Sequence, residues 1–169
     1  YQLTEQGHTV FLVACDDRLA GMLAVSDPIK PTTAAAIGAL HDLGLQIIML
    51  TGDNHKTAHT VAQRLKIDEV EAEVKPQDKR QRVQQLRGEG RRVAMAGDGI
   101  NAAPALATAD VGIAMGAGGT DVALETADVV LMSSDLSKLP FMVRLGRKAE
   151  RIVRLCGMQD SLKVYKGAS

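Results

Sequence analysis

The stretch Ala94–Met115, AMAGDGINAAPALATADVGIAM, constrains this chain more than any other. An apolar run ends in an acid held between two glycines, and a Pro- and Ala-rich helical segment follows at once. Gly97 and Gly99 allow backbone conformations that a Cβ forbids and leave room for a close ligand. This strand–turn–helix pattern places Asp98 at the carboxyl end of a strand, where ligands of open α/β sheets collect. A carboxylate fixed there suits Mg²⁺, which takes one or two carboxylates and completes its shell with waters and phosphate oxygens. A Gly-Asp-Gly turn alone equally describes a solvated loop, so the argument depends on what surrounds it.

The rest of the chain alternates short apolar strands with helices. Residues 7–26 read as two apolar strands around a turn at Asp16-Asp17-Arg18, a β-hairpin. Asp27-Pro28-Ile29-Lys30-Pro31 breaks that pattern and marks the expected domain boundary. Thr32 or Thr33 is positioned to cap a helix carrying Ala36, Ile37, Leu40 and Leu43, which Gly44 ends. Leu45–Leu50 is a continuous apolar run, the mark of a strand buried on both faces. It empties into Thr51-Gly52-Asp53-Asn54 and a helix bearing Ala58, Val61, Ala62 and Leu65. A short strand near Val70–Val74 is followed by a charged helix starting at Pro76, with Val83 and Leu86 inward. Strand Arg92–Ala96 leads to the Gly-Asp-Gly turn, a short helix spans Ala102–Ala107, and strand Val111–Met115 follows. A Gly-rich loop, a helix Thr120–Thr126, a strand Asp128–Met132 and a long amphipathic helix Leu136–Leu155 complete the pattern. Such alternation predicts right-handed βαβ units and a Rossmann-like α/β fold: a parallel, doubly wound sheet flanked by helices and preceded by a short hairpin.

Composition excludes several function classes. Twenty basic residues balance twenty acidic ones and aromatics are 2%, so neither a basic field nor a stacking surface addresses nucleic acid. Cys15 and Cys156 lie far apart and outside any CxxC or Cys/His cluster, which fits a reducing cytoplasmic setting without disulfide or structural zinc. No apolar stretch reaches the ~18 residues needed to span a bilayer, and no signal-peptide pattern is present. The chain enters patterned sequence directly at Tyr1, so it is expected to be an excerpt of something longer.

Three loops offer groups useful to phosphate on one edge of the expected sheet. Thr51 supplies a hydroxyl, with the amides of the following helix start behind it. Lys79, in the first turn of its helix, carries a point charge, and Asp98 holds a metal. Together they form an electrostatic clamp of the kind phosphoryl transfer needs.

The strings MLTGDN (Met49–Asn54), KPQDK (Lys75–Lys79), AGDGIN (Ala96–Asn101) and APALATADVGIAMG (Ala103–Gly116) resemble the phosphorylation domain of P-type ATPases, a haloacid-dehalogenase-superfamily domain. The likeness runs in order over residues 7–155. It implies that residues 1–26 are the end of the nucleotide-binding domain inserted in such pumps, that 27–155 are the phosphorylation domain, and that 156–169 form a tail without pattern. It further implies that Thr51 and Lys79 hold the phosphoryl group and that Asp98 binds Mg²⁺. Gly52, Asp53, Asp27 and Asn101 then support nucleotide phosphates or metal. ATP and Mg²⁺ are the implied cofactors. The implied partners are a heavy-metal cation carried by an absent membrane domain and the rest of the pump, with this part on the cytoplasmic face. The C-terminal strings GAGGTDVALETADVVLM and DLSKLPFMVRLGRK look more like the zinc, cadmium, cobalt and lead exporters than the copper exporters.

Two departures stand against the resemblance. No DKTGT-like string occurs, so the aspartate that is phosphorylated in the family is absent. The family pattern also has Asp where this chain has Ala102. A free-standing, non-catalytic nucleotide- or Mg²⁺-binding module left from a truncated pump gene is therefore the alternative reading, and a phosphohydrolase borrowing its nucleophile is a third.

Other signals reduce to ordinary structure. Gly97–Ala102 is formally GxGxxA, but the dinucleotide fingerprint needs an acid at the end of the next strand, where this chain has Gly116–Gly119. His55 and His59 share helical spacing without the Glu of a zinc helix and fall off the apolar face, while His8 and His41 look isolated. Met22, Met49, Met95, Met115 and Met132 fall in strand runs and read as core, and Cys15 reads as a buried small hydrophobe.

Overall fold

The computed structural model describes residues 9–25, 29–97, 100–116 and 125–155. Asp16 and Asp17 both take positive φ, 49° and 56°, which twists a two-residue turn to match its flanking strands. Strands β1 (Thr9–Cys15) and β2 (Arg18–Val25) therefore pair antiparallel, with Leu12 opposite Met22 and Phe11 opposite Leu23. Alternate residues point to opposite faces, so both faces of the hairpin are apolar, and all four of these side chains are more than half exposed. Met22 is 63% exposed here and Met132 is 76% exposed further on, which corrects the expectation that the strand methionines pack the core. Cys15 is likewise exposed rather than buried.

Helix α1 (Pro31–Asp42) starts two residues earlier than a Thr32 cap would place it, with Lys30 at the cap position. Pro31 occupies the first turn, where its fixed φ is already helical and its missing N–H costs nothing, and no side chain caps the helix. Ala36, Ile37 and Leu40 are buried as the pattern required, and Leu43 is half-buried. Strand β3 (Ile48–Leu50), helix α2 (His55–Leu65), strand β4 (Glu69–Glu71) and helix α3 (Pro76–Gly88) follow. Then come β5 (Ala94–Gly97), a 3₁₀ turn Ile100–Ala102, α4 (Ala103–Leu106), β6 (Val111–Met115), β7 (Val129–Leu131) and α5 (Lys138–Leu155). The helix expected over Thr120–Thr126 lies mostly outside the described residues.

The strands form two parallel pieces instead of one sheet. β3 pairs with β4, and β6 lies between β5 and β7. β3 is shorter than its apolar run, and its residues are half-buried rather than enclosed on both faces. Among the described residues it has one strand neighbour, too few to cover both of its sides. The sheet β5–β6–β7 is where the core sits: Ile113 and Met115 of β6 pack with Leu40 of α1 and Leu139 of α5. Among the described residues no helix is long and apolar enough to cross a membrane.

Each parallel pair is closed by the same device. An aspartate just before one strand accepts the N–H at the start of its neighbour. Asp68 takes the amide of Ile47 at 2.7 Å, Asp110 that of Val93 at 2.9 Å, and Asp128 that of Gly112 at 2.7 Å. A carboxylate acceptor makes such bonds stronger than neutral ones. The tetrapeptide Thr-Ala-Asp-Val, at 108–111 and again at 126–129, is the sequence trace of two of these links.

Candidate functional site

β3 ends in the loop Thr51–Asn54, and the residue types there fold the loop on itself. The Thr51 hydroxyl donates to the Asp53 carboxylate at 2.8 Å, and the Asp53 amide donates back to the same hydroxyl oxygen at 3.1 Å. Asn54 caps α2 by accepting the Thr57 amide at 2.9 Å. With the amides of Asp53 and Thr57 engaged inside the loop, the helix start presents less to an anion than the sequence pattern implied. Thr51 itself is half-buried beside exposed Gly52 and Asp53.

The loop is sewn to the exit of β4 by three backbone bonds. Thr51 N–H donates to the Glu71 carbonyl at 3.0 Å, Val74 N–H to the Thr51 carbonyl at 2.9 Å, and Glu73 N–H to the Asp53 carbonyl at 2.9 Å. Glu73 accepts a φ of 56° to make this turn. A Cβ on Gly52 would stand 3.9 Å from the Val74 carbonyl oxygen, an ordinary van der Waals contact. Pro76 opens α3 two residues after Val74, and Asp78 accepts the Lys75 amide at 3.3 Å, fixing the first turn. Lys79 sits in that turn, half-buried. The structure thus bonds the Thr51 loop to the segment that leads into the Lys79 helix.

A charged cluster that the sequence reading did not single out sits beneath them. Arg82 of α3, 15% exposed, donates to Glu69 and lies 2.5 Å from a carboxylate oxygen of Glu71. Burial works against its charge, but Glu71 and Glu69 more than compensate, and the guanidinium pKa is raised. The signal that could have found it was the alternation Glu69-Val70-Glu71, two acids on one strand face opposite a basic helix. His41 is not isolated either: it pairs with Asp68 at 2.9 Å. The amide of Ile47 first, then His41, holds the Asp68 carboxyl below its usual value. His55 and His59 stack on the exposed face of α2 with ring centroids 6.4 Å apart, as a solvated face requires.

On the other piece, β5 delivers Gly97 to the Gly-Asp-Gly turn, and the 3₁₀ turn folds back over it. A Cβ at Gly97 would lie 2.5 Å from the Ala102 methyl, so glycine is obligatory there. Ala102 is 8% exposed and Asn101 is exposed. Asp98 and Asp27 lie outside the described residues. Among the described residues no group of three or more His, Cys, Asp or Glu side chains gathers to hold a metal ion. Next to Gly97 the buried side chain is the Ala102 methyl, which offers no ligand to a metal.

The chain as a whole matches known proteins. The profile of the haloacid dehalogenase-like hydrolases matches residues 1–110, and the chain belongs to that family. Its relatives are heavy-metal P-type ATPases. Over 153 residues it is 54% identical to a copper-transporting ATPase of Rhizobium meliloti (strain 1021), covering 90% of this chain and 18% of that one. It is 47% identical over 153 residues to a probable cadmium-transporting ATPase of Staphylococcus aureus (strain MRSA252), covering 90% of this chain and 21% of that one. The crystal structure of a zinc-transporting PIB-type ATPase in its E2.Pi state superposes with a TM-score of 0.80 at 40% identity, over 91% of this chain and 25% of that one. The catalytic domain of the CPx-ATPase CopB-B gives a TM-score of 0.61 at 32% identity, over 73% of this chain and 47% of that one. The chain therefore corresponds to part of the catalytic region of such pumps and spans about a fifth of the length of these curated relatives. Identity does not favour the zinc–cadmium branch over copper, since the copper pump is the more similar of the two.

Proposed function

We propose that this chain is the phosphorylation-domain part of an ATP-driven heavy-metal cation exporter. In this reading residues 1–26 are the end of the nucleotide-binding domain, 27–155 the phosphorylation domain and 156–169 a tail without pattern. The single observation that carries it is the bonding of the Thr51 loop to the strand exit that launches the Lys79 helix. That frame supports a phosphoryl group between a hydroxyl donor and an ammonium, which is positioning and charge neutralisation without covalent help. To act, Thr51 turns its hydroxyl proton from Asp53 to the incoming oxygen, and Asp53 keeps the threonine oriented through its own amide. Gly52, Asp27 and Asn101 would support the nucleotide phosphates. Asp98 would hold Mg²⁺, whose chemistry there is neutralisation of phosphate charge. The acceptor carboxylate comes from pump sequence outside these 169 residues, as do the metal-selecting helices, and the domain works on the cytoplasmic face.

The test is a blot of source-cell fractions with an antibody to this chain. A membrane band several times 18.0 kDa that takes label from ATP when metal is added supports the pump. A soluble band near 18.0 kDa removes it.

Ala102 favours a second reading, a non-catalytic module left from a truncated pump gene. A buried methyl in place of the family carboxylate weakens Mg²⁺ binding. Ala102→Asp tightens Mg²⁺ on this reading; unchanged affinity removes the claim that position 102 matters for metal.

A further inference from the structure

We propose that Glu71 and Arg82 are positioning residues that lock Thr51 and Lys79 into one phosphate-binding unit, with Glu71 as the joint; this rests on the phosphate-binding reading of that pair. Glu71 acts twice. Its backbone carbonyl accepts the Thr51 amide at 3.0 Å, and its carboxylate holds Arg82 at 2.5 Å. Arg82 lies three residues after Lys79 on α3, so the two side chains share a helix face. One residue thus fixes the β3 loop through its main chain and the Lys79 helix through its side chain.

The cluster is more than a solvated charge run. Glu69 and Glu71 stand two apart on a strand, hence on one face, and would repel each other without a cation between them. The planar fork of arginine spans both, its terminal nitrogen on Glu69 and its Nε toward Glu71. A lysine reaches one carboxylate at a time. At the other end of α3, Arg87 donates to the Thr108 carbonyl at 2.7 Å and pairs with Asp110 at 3.4 Å. Val83 and Leu86 are buried along the middle of the helix, and Arg82 adds a directional contact near its N-terminal end. A roll of about 20° moves a side-chain tip by about 2 Å at the 5–6 Å radius of a helix, enough to take Lys79 out of hydrogen-bond reach. Arg82 sets that angle.

The test uses the whole 169-residue chain as wild type, Arg82→Met, Arg82→Lys, Glu71→Gln and Thr51→Ala, at a temperature where thermal melts show every variant folded. Inorganic phosphate is titrated while NMR follows the Thr51 amide and the Lys79 side-chain nitrogen. Amide hydrogen exchange of Thr51 and Lys79 is measured without phosphate. The proposal expects Arg82→Met to weaken phosphate about tenfold, the scale of one misplaced charge-assisted hydrogen bond. The Lys79 response is lost and the Thr51 response kept, and exchange at the Lys79 amide rises. Arg82→Lys recovers part of both effects, and Glu71→Gln also speeds exchange at Thr51. Phosphate binding and exchange in Arg82→Met that match wild type, while Thr51→Ala abolishes binding, overturn the proposal and leave the phosphate site standing. A wild-type chain with no response at Thr51 or Lys79 overturns the phosphate reading itself.

Discussion

The two parallel pieces of this molecule are held together by different physics. β5–β6–β7 is fixed by burial: Ile113 and Met115 are enclosed by Leu40 and Leu139, and Leu106 is 1% exposed where α4 rests against β6. β3–β4 has three-residue strands that are half-buried throughout, and charge does the fixing through Arg82 with Glu69 and Glu71 and through Asp68 with His41. Hydrophobic burial is non-directional and scales with area, whereas ion pairs fix orientation and respond to salt and pH. The ionic piece carries Thr51, and Arg82 ties it to the helix that carries Lys79. Orientation is what a phosphate-holding pair requires, and a piece built this way gains it without a large core of its own.

The contrast makes graded predictions. The largest effect belongs to the apolar piece: Leu106→Ala costs about 2–5 kcal/mol by denaturant unfolding, the transfer loss plus the cavity. Gly112→Ala follows at about 1–3 kcal/mol, since its Cβ would meet the Leu106 carbonyl oxygen at 2.8 Å and backbone must move. Arg82→Met costs about 1 kcal/mol, because both glutamates remain about one-third exposed and water screens part of the loss. Half-molar salt shrinks this cost and leaves the first two unchanged; equal salt sensitivity in all three breaks the comparison. The smallest effect is acid. The Asp68 carboxyl is depressed in the folded state, so its contribution is fully present above the ordinary value of 3.8 and is lost as pH falls through the lowered value. Asp68→Asn therefore flattens the acid limb of stability against pH below about 4, and an unchanged limb contradicts the linkage.

The order of elements was readable because the helices announced their buried faces: Ala36, Ile37 and Leu40, and Ala58, Ala62 and Leu65, lie where the spacing put them, and β6 spans the predicted Val111–Met115. What could not be read was which apolar strands find neighbours. Leu12 in the hairpin and Ile113 in β6 sit in equally apolar runs, yet one is 69% exposed and the other 3%. Periodicity reports what a residue can bury, not what is present to bury it. The site was legible as motifs, Thr51 and Lys79 emerging on adjoining segments, because a glycine-rich turn after a strand and a proline-started helix are local features. Arg82 was invisible for the opposite reason. Its meaning depends on two acids on a strand thirteen and eleven residues earlier, and the only local trace of that pairing is the alternation Glu69-Val70-Glu71.

The central claim, that Thr51 and Lys79 form one phosphate-holding unit, is tested most directly by titrating the wild-type chain with inorganic phosphate in the presence of Mg²⁺ and following both residues by NMR. The account predicts that the Thr51 amide and the Lys79 ammonium shift together along one saturating curve, with an affinity on the order of 1 mM. Shifts at exposed lysines alone, rising linearly without saturation while Thr51 stays still, would contradict it.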